Sequence, residues 1–451
     1  MGEALWPPLV ALAAALATRK VVPSLLAGAF VGSVFLAAEA DGWATAPLGG
    51  LLRLIGDGVL GRLAVDGNAQ LLFLVALIGA FVGLLERSGA AAALVRGLAQ
   101  WVTTPRRAEL ATWAAGLLMF FSDTGNVLIL GPVFRPLYDR LGIARERLAW
   151  IIDATAAPVS VLVPFITWGV YITGLLQESF GGDEGLTLFL AAVPWQLYPW
   201  LSLLSVVVVA GSGRHFGPMA ACQGTPTATE EGPSAGLPSR TGWLPLAVLL
   251  VALMVVGGSR WAAEGILRGP DVRLALATAY LAAIGALVGL LPERPAAWRQ
   301  AAAGAADSLR LMGVLLAAWT LAFVCRELGT GEVVAGAVGP WLPGTLVPVA
   351  LFATGAAVSF ATGTSWGTFA ILLPLAAALQ PACGLPAPML VGAVLSGGIF
   401  GDHSSPLSDT TLLASGAAGV DHADHVRTQL PYALVVGALS AVGFTVAGLL
   451  G

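Results

Sequence analysis

The 451-residue chain contains very little charge: only 11% of its residues are Asp, Glu, Lys or Arg, whereas 57% are hydrophobic. Soluble domains carry about 25% charged residues. So few charges could not cover a water-facing surface of this size. The composition therefore excludes an ordinary soluble domain and predicts that lipid surrounds much of the protein.

Lysine and cysteine are also scarce. Lys20 is the one lysine, and the three cysteines, Cys222, Cys325 and Cys383, are far apart. Neither a disulfide framework nor a cysteine-based metal site is expected, and no resident metal or cofactor is predicted. The net charge of −4, without a basic arm, argues against a nucleic-acid partner.

Motifs of enzymes and of nucleotide-driven pumps are missing as well. The sequence contains no Walker-A or other Gly-rich nucleotide loop. His403 lies in a polar run but belongs to no Ser/His/Asp set at useful spacing. We therefore predict no enzymatic activity and no catalytic residues.

The first apolar run is predicted to be a retained helix rather than a cleaved signal peptide. Glu3 precedes this run, whereas Arg19 and Lys20 follow it. A signal peptide has its basic residues before the apolar stretch, so the order of charges is reversed here.

Apolar segments that approach the width of a bilayer recur along the whole chain, since a helix needs about 20 residues to cross it. Two of them are interrupted by polar, Gly-rich stretches, at 121–126 and 361–367. The segments lie at roughly 5–18, 21–37, 69–86, 108–133, 148–176, 187–211, 242–257, 273–292, 308–325, 344–379, 386–416 and 430–450.

The charges of the connecting loops predict how these segments are oriented, because cytoplasmic loops are enriched in Lys and Arg. The loops at 19–20, 87–107, 135–147 and 294–299 are basic, and those at 39–41 and 178–184 are acidic. If the basic loops are cytoplasmic, segment 108–133 enters and leaves on the same side, and segment 344–379 does so from the opposite side. The sequence thus predicts an all-α polytopic membrane protein with about ten spanning helices plus two re-entrant helical hairpins.

The two halves of the chain also share a sequence pattern. At an offset of 242 positions, Gly89 aligns with Gly331 and Gly125 with Gly367. Later, DATAAPVS at 153–160 resembles DHSSPLS at 402–408. With the loop charges, this predicts two inverted repeats, 1–211 and 242–451, joined by a cytoplasmic linker at 212–241 without a core-forming pattern. Secondary transporters that are built from inverted repeats bind their substrates at the interface between the repeats, near the bilayer midplane.

Acidic residues within apolar segments are the first candidates for function, because each costs about 2.5–3.5 kcal/mol to insert. Carboxylate, hydroxyl, amide and carbonyl oxygens suit a hard cation such as Na⁺. Pro158 lacks an N–H and would free the carbonyl of Ala154 beside one of these acids. The predicted cation- or proton-binding residues are Asp123, Asn126, Asp153, Thr155, Asp402 and Asp409.

Hydroxyl groups cluster at the same places and form a second predicted set. The hydroxyls at the tip of the second hairpin could bind a cation through oxygen or a carboxylate at a helix N-terminus. His403 titrates near neutral pH and could relay protons. The predicted substrate-binding residues are Ser122, Thr124, Ser160, Thr362, Thr364, Ser365, His403, Ser405 and Ser408.

Structural explanations compete with each of these assignments. Asp123 could cap a helix, and Asp153 could lie in a kinked packing helix. The run at 402–411 could be a solvated loop. Glu86 and Glu327, near span ends, are predicted to snorkel or to form ion pairs. The cluster at 421–425, which superficially resembles a metal site, is predicted to be a polar cytoplasmic loop and helix start; no metal site is predicted.

Four runs carry a family resemblance. GDHSSPLSDTTLLASGAAGVDHADHVRTQLPYAL, from Gly401 to Leu434, resembles the signature of the NhaC-type Na⁺/H⁺ antiporter family. FSDTGNVLILGPVFRPLYDRL and WIIDATAAPVSVLVPF resemble its first-half motifs, and ATGTSWGTFAILLP resembles its second hairpin. The resemblance covers most of the chain and implies inverted repeats, two re-entrant hairpins and a homodimer. Families of this kind include cation antiporters and malate–lactate or amino-acid exchangers.

We therefore predict a secondary active transporter in a bacterial inner membrane, with the lipid bilayer as its surroundings. The leading hypothesis is antiport of Na⁺ or Li⁺ against H⁺, in which both ions compete for the buried aspartates. The alternative is a Na⁺- or H⁺-coupled exchanger of a small organic anion or amino acid, held by the hydroxyls of the second hairpin.

Overall fold

The computed structural model describes residues 2–65, 67–99, 102–181, 184–224, 237–264, 269–338 and 341–451. Within these ranges all of the regular secondary structure is helical, so the predicted all-α fold class is confirmed. Nine helices in the described ranges are long and apolar enough to cross a membrane. The opposite orientation of the halves and the re-entry of the hairpins stay predictions.

In the described part of the first half there are thirteen α-helices and a π-helical stretch, Leu54–Leu60. The α-helices are α1 (Trp6–Thr18), α2 (Val21–Asp41), α3 (Ala46–Arg53), α4 (Gly61–Ala64), α5 (Asn68–Arg87), α6 (Ala90–Ala99), α7 (Pro105–Leu118), α8 (Asp123–Leu141), α9 (Arg145–Thr155), α10 (Ala157–Ser160), α11 (Thr167–Phe180), α12 (Gly185–Ala192) and α13 (Leu197–Ser212).

The residues described in the second half form ten α-helices. Among all described residues, short 3₁₀ turns occur at four places: Glu3–Leu5, Val193–Trp195, Gly217–Ala221 and Gly344–Leu346. The α-helices are α14 (Arg240–Glu264), α15 (Gly269–Leu290), α16 (Arg294–Asp307), α17 (Leu309–Glu327), α18 (Thr330–Val338), α19 (Val347–Thr362), α20 (Ser365–Cys383), α21 (Ala387–Ser404), α22 (Asp409–Ala418) and α23 (His422–Leu450).

The two predicted hairpins are helix–turn–helix units. The first hairpin is formed by α7 and α8, and the second by α19 and α20. Their second legs begin at Asp123 and Ser365, which are 242 positions apart as in the sequence comparison. The sequence comparison paired Gly89 with Gly331, but the structural counterpart of Gly89 is another glycine. Gly89 (φ 79°) follows α5 in the left-handed conformation, and the left-handed glycine that follows α17 is Gly329 (φ 64°).

Two of the predicted spanning segments are discontinuous. In segment 148–176, α9 ends at Thr155 and a single turn, α10, follows before α11. In segment 386–416, α21 ends at Ser404 and α22 begins at Asp409. Proline disfavours helical backbone in the residue before it, and Ser405, which precedes Pro406, is extended. Each break therefore leaves backbone groups inside the protein without a regular helical partner.

The larger of two hydrophobic clusters among the described residues contains side chains from both halves. The ring of Phe81 on α5 packs edge-to-face on Tyr280 of α15, with centroids 5.6 Å apart. The indole N–H of Trp319 on α17 donates a 3.0 Å hydrogen bond to the carbonyl of Gly174 on α11. In addition, α22 packs against both α8 and α9, so the second broken helix lies against the first hairpin and the first broken helix.

The segment 213–224, which follows α13, differs from the predicted linker because it packs on the helices. Met219 is fully buried, and the ring of Phe216 lies 4.1 Å from that of Tyr432 on α23. His215 Nε2 lies 3.3 Å from the buried carboxylate of Glu109 on α7. Aromatic and apolar residues within a Gly-rich stretch thus anchor it, whereas residues 225–236 of the predicted linker lie outside the described residues.

Candidate functional site

The turn of the first hairpin is organised by its own side chains. Ser122 is the N-cap of α8, and its Oγ accepts a 2.8 Å hydrogen bond from the N–H of Gly125. Asp123 Oδ1 accepts a 2.7 Å hydrogen bond from the N–H of Thr124. Asp123 is half-buried, and Thr124 is exposed. The capping role that competed with ion binding is thus present at Ser122, and the Asp123 carboxylate also interacts with the side chain of Trp168.

Asn126 connects this hairpin to the break between α9 and α10. Its Nδ2 donates to the carbonyl of Gly116 (3.0 Å) and to the carbonyl of Thr155 (2.9 Å). Thr155 Oγ1 donates to the carbonyl of Ile151 (2.8 Å) within its own helix. Asn126 Oδ1 is buried and has no hydrogen-bond partner among the described residues. The amide therefore holds the broken helix with its N–H groups and presents its oxygen to the interior.

The second hairpin supplies hydrogen-bond donors to an acid from another helix. Ser365, the first residue of α20, donates to Asp402 Oδ2 from its Oγ (2.7 Å) and from its N–H (3.2 Å). Asp402 lies in the last turn of α21 and is 4% exposed. Its Oδ1 is buried without a hydrogen-bond partner in the described part of the chain. Half of this carboxylate is thus fixed by the hairpin, and the other half is available for a ligand.

The backbone of the second tip explains how this tip approaches the break between α21 and α22 so closely. Gly363 joins the two legs with φ +69°, and a Cβ at this position would lie 2.5 Å from the carbonyl oxygen of Leu407. Ser405 Oγ donates a 2.6 Å hydrogen bond to the carbonyl of Phe360 on α19. The hydroxyls of Thr362 and Thr364 do not reach the acid: Thr362 Oγ1 donates to the carbonyl of Val358 (2.8 Å), and Thr364 forms no side-chain cap.

Three of the predicted aspartates meet at these tips. Asp409, the first residue of α22, interacts electrostatically with Asp123 and with Asp402. It is exposed, and its Oδ1 accepts a 3.0 Å hydrogen bond from the N–H of Thr410. Ser408 caps α22 by accepting from the N–H of Thr411 (3.4 Å) and also contacts Asp402. The prediction that the run at 402–411 belongs to the interior holds for Asp402 and Ser408 but not for Asp409, which faces outward.

Glu86 is placed differently from its prediction. It was expected to snorkel or to form an ion pair near the end of α5, but its carboxylate lies directly against Gly125 of the first tip. Glu86 interacts with Ser122 and Asp123, and its Oε1 is buried without a hydrogen-bond partner among the described residues. The acidic residue belongs to the tip because glycine at position 125 leaves room for it. We call Glu86, Asp123, Asp402 and Asp409 the tip acids.

Asp153 belongs to a separate cluster. Its Oδ2 accepts a 2.7 Å hydrogen bond from Gln429 Nε2 and lies 3.5 Å from His425 Nε2, both on α23. Gln429 Nε2 also donates to the carbonyl of His403 (2.7 Å). His403 Nδ1 is 2.7 Å from the hydroxyl of Tyr198. We call these five residues the Asp153 cluster; each of them is buried.

His425, Gln429 and Tyr198 were missed by sequence reasoning. The run at 421–425 was predicted to be a loop and helix start, and Asp421 does cap α23 by accepting from the N–H of Ala423 (2.9 Å). The prediction is wrong for His425, which is fully buried. Residues 425 and 429 are one helical turn apart and share a face. The same two turns of α23 also contain Asp424, Arg427 and Thr428, so no local signal singled out this pair.

The remaining predicted residue, Ser160, lies in the turn α10. Its Oγ is 3.5 Å from the carbonyl of Phe120, near the limit of a hydrogen bond, and the residue is 1% exposed. Ser160 therefore joins the first broken helix to the first tip without pointing at an acid.

Comparison of the sequence with known proteins identifies a family. The sequence model of the Na⁺/H⁺ antiporter family matches residues 2–183 and 166–449. An uncharacterized protein of Haemophilus influenzae is 32% identical over 98% of this chain and 90% of its own length. The malate-2H(+)/Na(+)-lactate antiporter of Bacillus subtilis is 39% identical over a shorter region, 25% of this chain and 27% of that protein.

A solved structure has the same fold. The YdaH transporter of Alcanivorax borkumensis superposes with a TM-score of 0.63 over 89% of this chain and 88% of its own, at 17% sequence identity. Identity this low shows likeness of fold alone. The resemblance found in the sequence motifs is confirmed: this chain is a multi-pass membrane protein that belongs to the Na⁺/H⁺ antiporter family.

Proposed function

We propose that the protein exchanges Na⁺ or Li⁺ for H⁺, and that the cation binds at the tip acids. One observation carries the proposal: Asp402 is buried with one oxygen fixed by Ser365 and the other without a hydrogen-bond partner among the described residues. A buried, half-satisfied carboxylate is costly unless a proton or a cation completes it. Competition between the two ions at one acid couples their fluxes without a chemical step.

The neighbouring oxygens suit a hard monovalent cation. Glu86 Oε1 is unpaired in the described structure, and Asp123 and Asp402 each interact with Asp409. Hard cations prefer carboxylate, hydroxyl and carbonyl oxygens, and transporters often supply them from interrupted helices. The tip acids repel one another when ionised, so binding a cation or protons relieves that repulsion.

The test is ion exchange in reconstituted vesicles. Purified protein in proteoliposomes that contain a pH-sensitive dye should move protons when Na⁺ or Li⁺ is added outside. We expect Asp402→Asn to abolish this signal, and Asp41→Asn, a change of an exposed acid at the end of α2, to retain it. Native protein that is folded in the vesicles but moves no protons on addition of either ion would overturn the proposal.

An organic anion is the second candidate, because the Bacillus subtilis relative is a malate-2H(+)/Na(+)-lactate antiporter. In that case the N-terminus of α20 would hold a substrate carboxylate. Ser365 already donates its N–H and its hydroxyl to Asp402, so an organic carboxylate would have to displace that acid. This favours the cation. Uptake of labelled malate or lactate driven by a Na⁺ gradient, absent from empty vesicles, would favour the organic anion instead.

We also propose, from the family resemblance, a bacterial inner-membrane location and a homodimer. Inverted halves, 1–211 and 242–451, would place the first hairpin on one face of the membrane and the second on the other. The positions of α8 and α20 at a common offset support this arrangement. Cysteine labelling from each side of the membrane at exposed loop positions would test it.

A further inference from the structure

We propose that Asp153 and His425 form a proton-binding pair that is separate from the cation site at the tip acids. The inference rests on the proposed exchange and adds a second proton-binding site to the tip acids, where a proton competes with the cation. The structure shows two different chemical environments along the same broken helices. The site at the tip acids contains carboxylates and hydroxyls, whereas the Asp153 cluster contains two imidazoles, an amide and a single carboxylate.

The Asp153 cluster is assembled from four helices. Asp153 lies in the last turns of α9, Tyr198 at the start of α13, His403 at the end of α21, and His425 with Gln429 on α23. The titratable groups that interact with the Asp153–His425 pair are His403 and Tyr198. All five side chains are at most 3% exposed, so bulk water does not screen their charges.

Hydrogen-bond accounting indicates that the cluster can take up one proton. Both N–H groups of Gln429 Nε2 are used, on Asp153 Oδ2 and on the carbonyl of His403. His425 Nε2 lies 3.5 Å from Asp153 Oδ2, within ion-pair range but long for a hydrogen bond. If His425 is neutral, the cluster contains one uncompensated buried carboxylate; one added proton converts the two side chains into a neutral pair.

Several atoms of the cluster still lack partners among the described residues. They are His403 Nε2, His425 Nδ1, His425 Nε2 and Gln429 Oε1, all buried. A second proton, on His403, would give the cluster a net positive charge, which burial disfavours. The single carboxylate therefore sets the capacity at one proton.

The chemistry of the cluster favours H⁺ over Na⁺. Imidazole nitrogen suits transition metals, whereas hard cations prefer several oxygens. One oxygen of Asp153 is occupied by Gln429, and the two histidines offer nitrogen. A proton needs a single basic nitrogen near a carboxylate, which His425 supplies.

The end of α21 links the two sites. Asp402 and His403 are consecutive, and successive residues of a helix point about 100° apart. Asp402 reaches Ser365 on the second hairpin, whereas His403 reaches Tyr198 and, through its carbonyl, Gln429. A movement of this turn caused by cation binding at Asp402 changes the distances within the Asp153 cluster. The coupling of the two fluxes thus has a direct structural route.

Paired measurements on purified protein and on proteoliposomes test the pair. The variant is His425→Gln, which cannot be protonated, and the matched control is His422→Gln on the same helix, whose imidazole contacts Ser415 and the carbonyl of Pro406 (2.9 Å each). We expect His425→Gln to keep Na⁺-dependent thermal stabilisation, with an apparent affinity within about threefold of native, and to reduce Na⁺-driven proton movement at least about tenfold. The control should keep both.

A native pH dependence of exchange in His425→Gln, with Na⁺ binding intact, would overturn the separate proton site and leave the proposed exchange standing. Absence of any Na⁺ effect in native protein would instead overturn the proposed exchange. Because His425→Gln could fail to fold, infrared difference spectra of native protein with isotope-labelled histidine give a second measurement. We expect imidazolium bands to appear as the pH is lowered and to shift in Asp153→Asn; their absence at every pH at which the protein remains folded would refute the pair.

Discussion

The two hairpins have the same outline but contribute complementary parts of the proposed binding site. At the first tip the acid belongs to the hairpin itself, because Asp123 is the first residue of α8 and accepts a hydrogen bond from the N–H of Thr124. At the second tip the hairpin supplies donors, and the acid, Asp402, comes from the broken helix α21. The two hairpins therefore share a backbone motif but differ in their side-chain chemistry. Asp402, which comes from α21 and not from a hairpin, is more completely buried than Asp123.

The largest expected effect separates the two acids. Asp402→Asn should lower Na⁺-driven proton movement at least about 100-fold, because it removes a buried charge that has two dedicated donors. Asp123→Asn should lower it about tenfold, because the half-buried Asp123 shares its task with the other tip acids. Initial rates in proteoliposomes measure both. Equal losses would contradict the difference between the hairpins.

The turn of the second hairpin offers the next test, on stability. Gly363→Ala should lower the free energy of unfolding by about 2–4 kcal/mol, since it adds a clash with the Leu407 carbonyl to the strain of a positive φ. Gly384→Ala is the matched control, with φ +70° and no atom within 4 Å of the added Cβ. Thermal unfolding in detergent compares them. A control as unstable as Gly363→Ala would show that backbone strain alone matters.

A smaller effect is expected from the donor itself. Ser365→Ala removes the 2.7 Å hydrogen bond to Asp402 and leaves the backbone N–H in place. We expect the KM for Na⁺ to change about tenfold, since a hydrogen bond to a charged group contributes about 1.5–3 kcal/mol. Thr278→Ala, which removes an exposed hydroxyl bonded within its own helix, serves as the control. An unchanged KM in Ser365→Ala would show that this hydroxyl has no part in positioning the acid.

The smallest effect concerns the cap of the first hairpin. Ser122→Ala removes the side-chain oxygen that accepts from the N–H of Gly125. Loss of an N-cap costs about 1 kcal/mol, so the melting temperature should fall by about one or two degrees. Ser122→Asn, which can cap equally well without adding a charge beside Glu86 and Asp123, should restore it. Failure of Asn to restore the stability would point to a contact of the hydroxyl with Glu86 rather than to capping.

Much of the fold followed from local patterns in the sequence. Low charge and repeated apolar segments predicted the helices, and the polar Gly-rich runs located both hairpin turns. The prolines in DATAAPVS and DHSSPLS marked the two broken helices. These features depend on short-range chemistry, such as the N–H that Pro158 and Pro406 lack, and such chemistry is readable one segment at a time.

The residues that contact the acidic side chains could not be predicted from such local patterns. Gln429 is 276 positions from Asp153, and Ser365 is 37 positions from Asp402. No local pattern distinguishes a histidine in the core from one in a loop, so His425 was assigned to a polar cytoplasmic loop and helix start. Glu86 was misplaced for the same reason, because its neighbour Gly125 comes from another helix. Chemical candidates can thus be found from composition, but their pairing requires the packing of the helices.

The close approach of Gly363 to the Leu407 carbonyl has a consequence for the proposed exchange. Together with the Ser405–Phe360 and Ser365–Asp402 hydrogen bonds, it fastens the second hairpin to both sides of the break in α21. Asp402 and its donors would then travel as one rigid piece, and the ion would be carried with its ligands already arranged. Opening toward either side of the membrane would come from the helices that surround this piece.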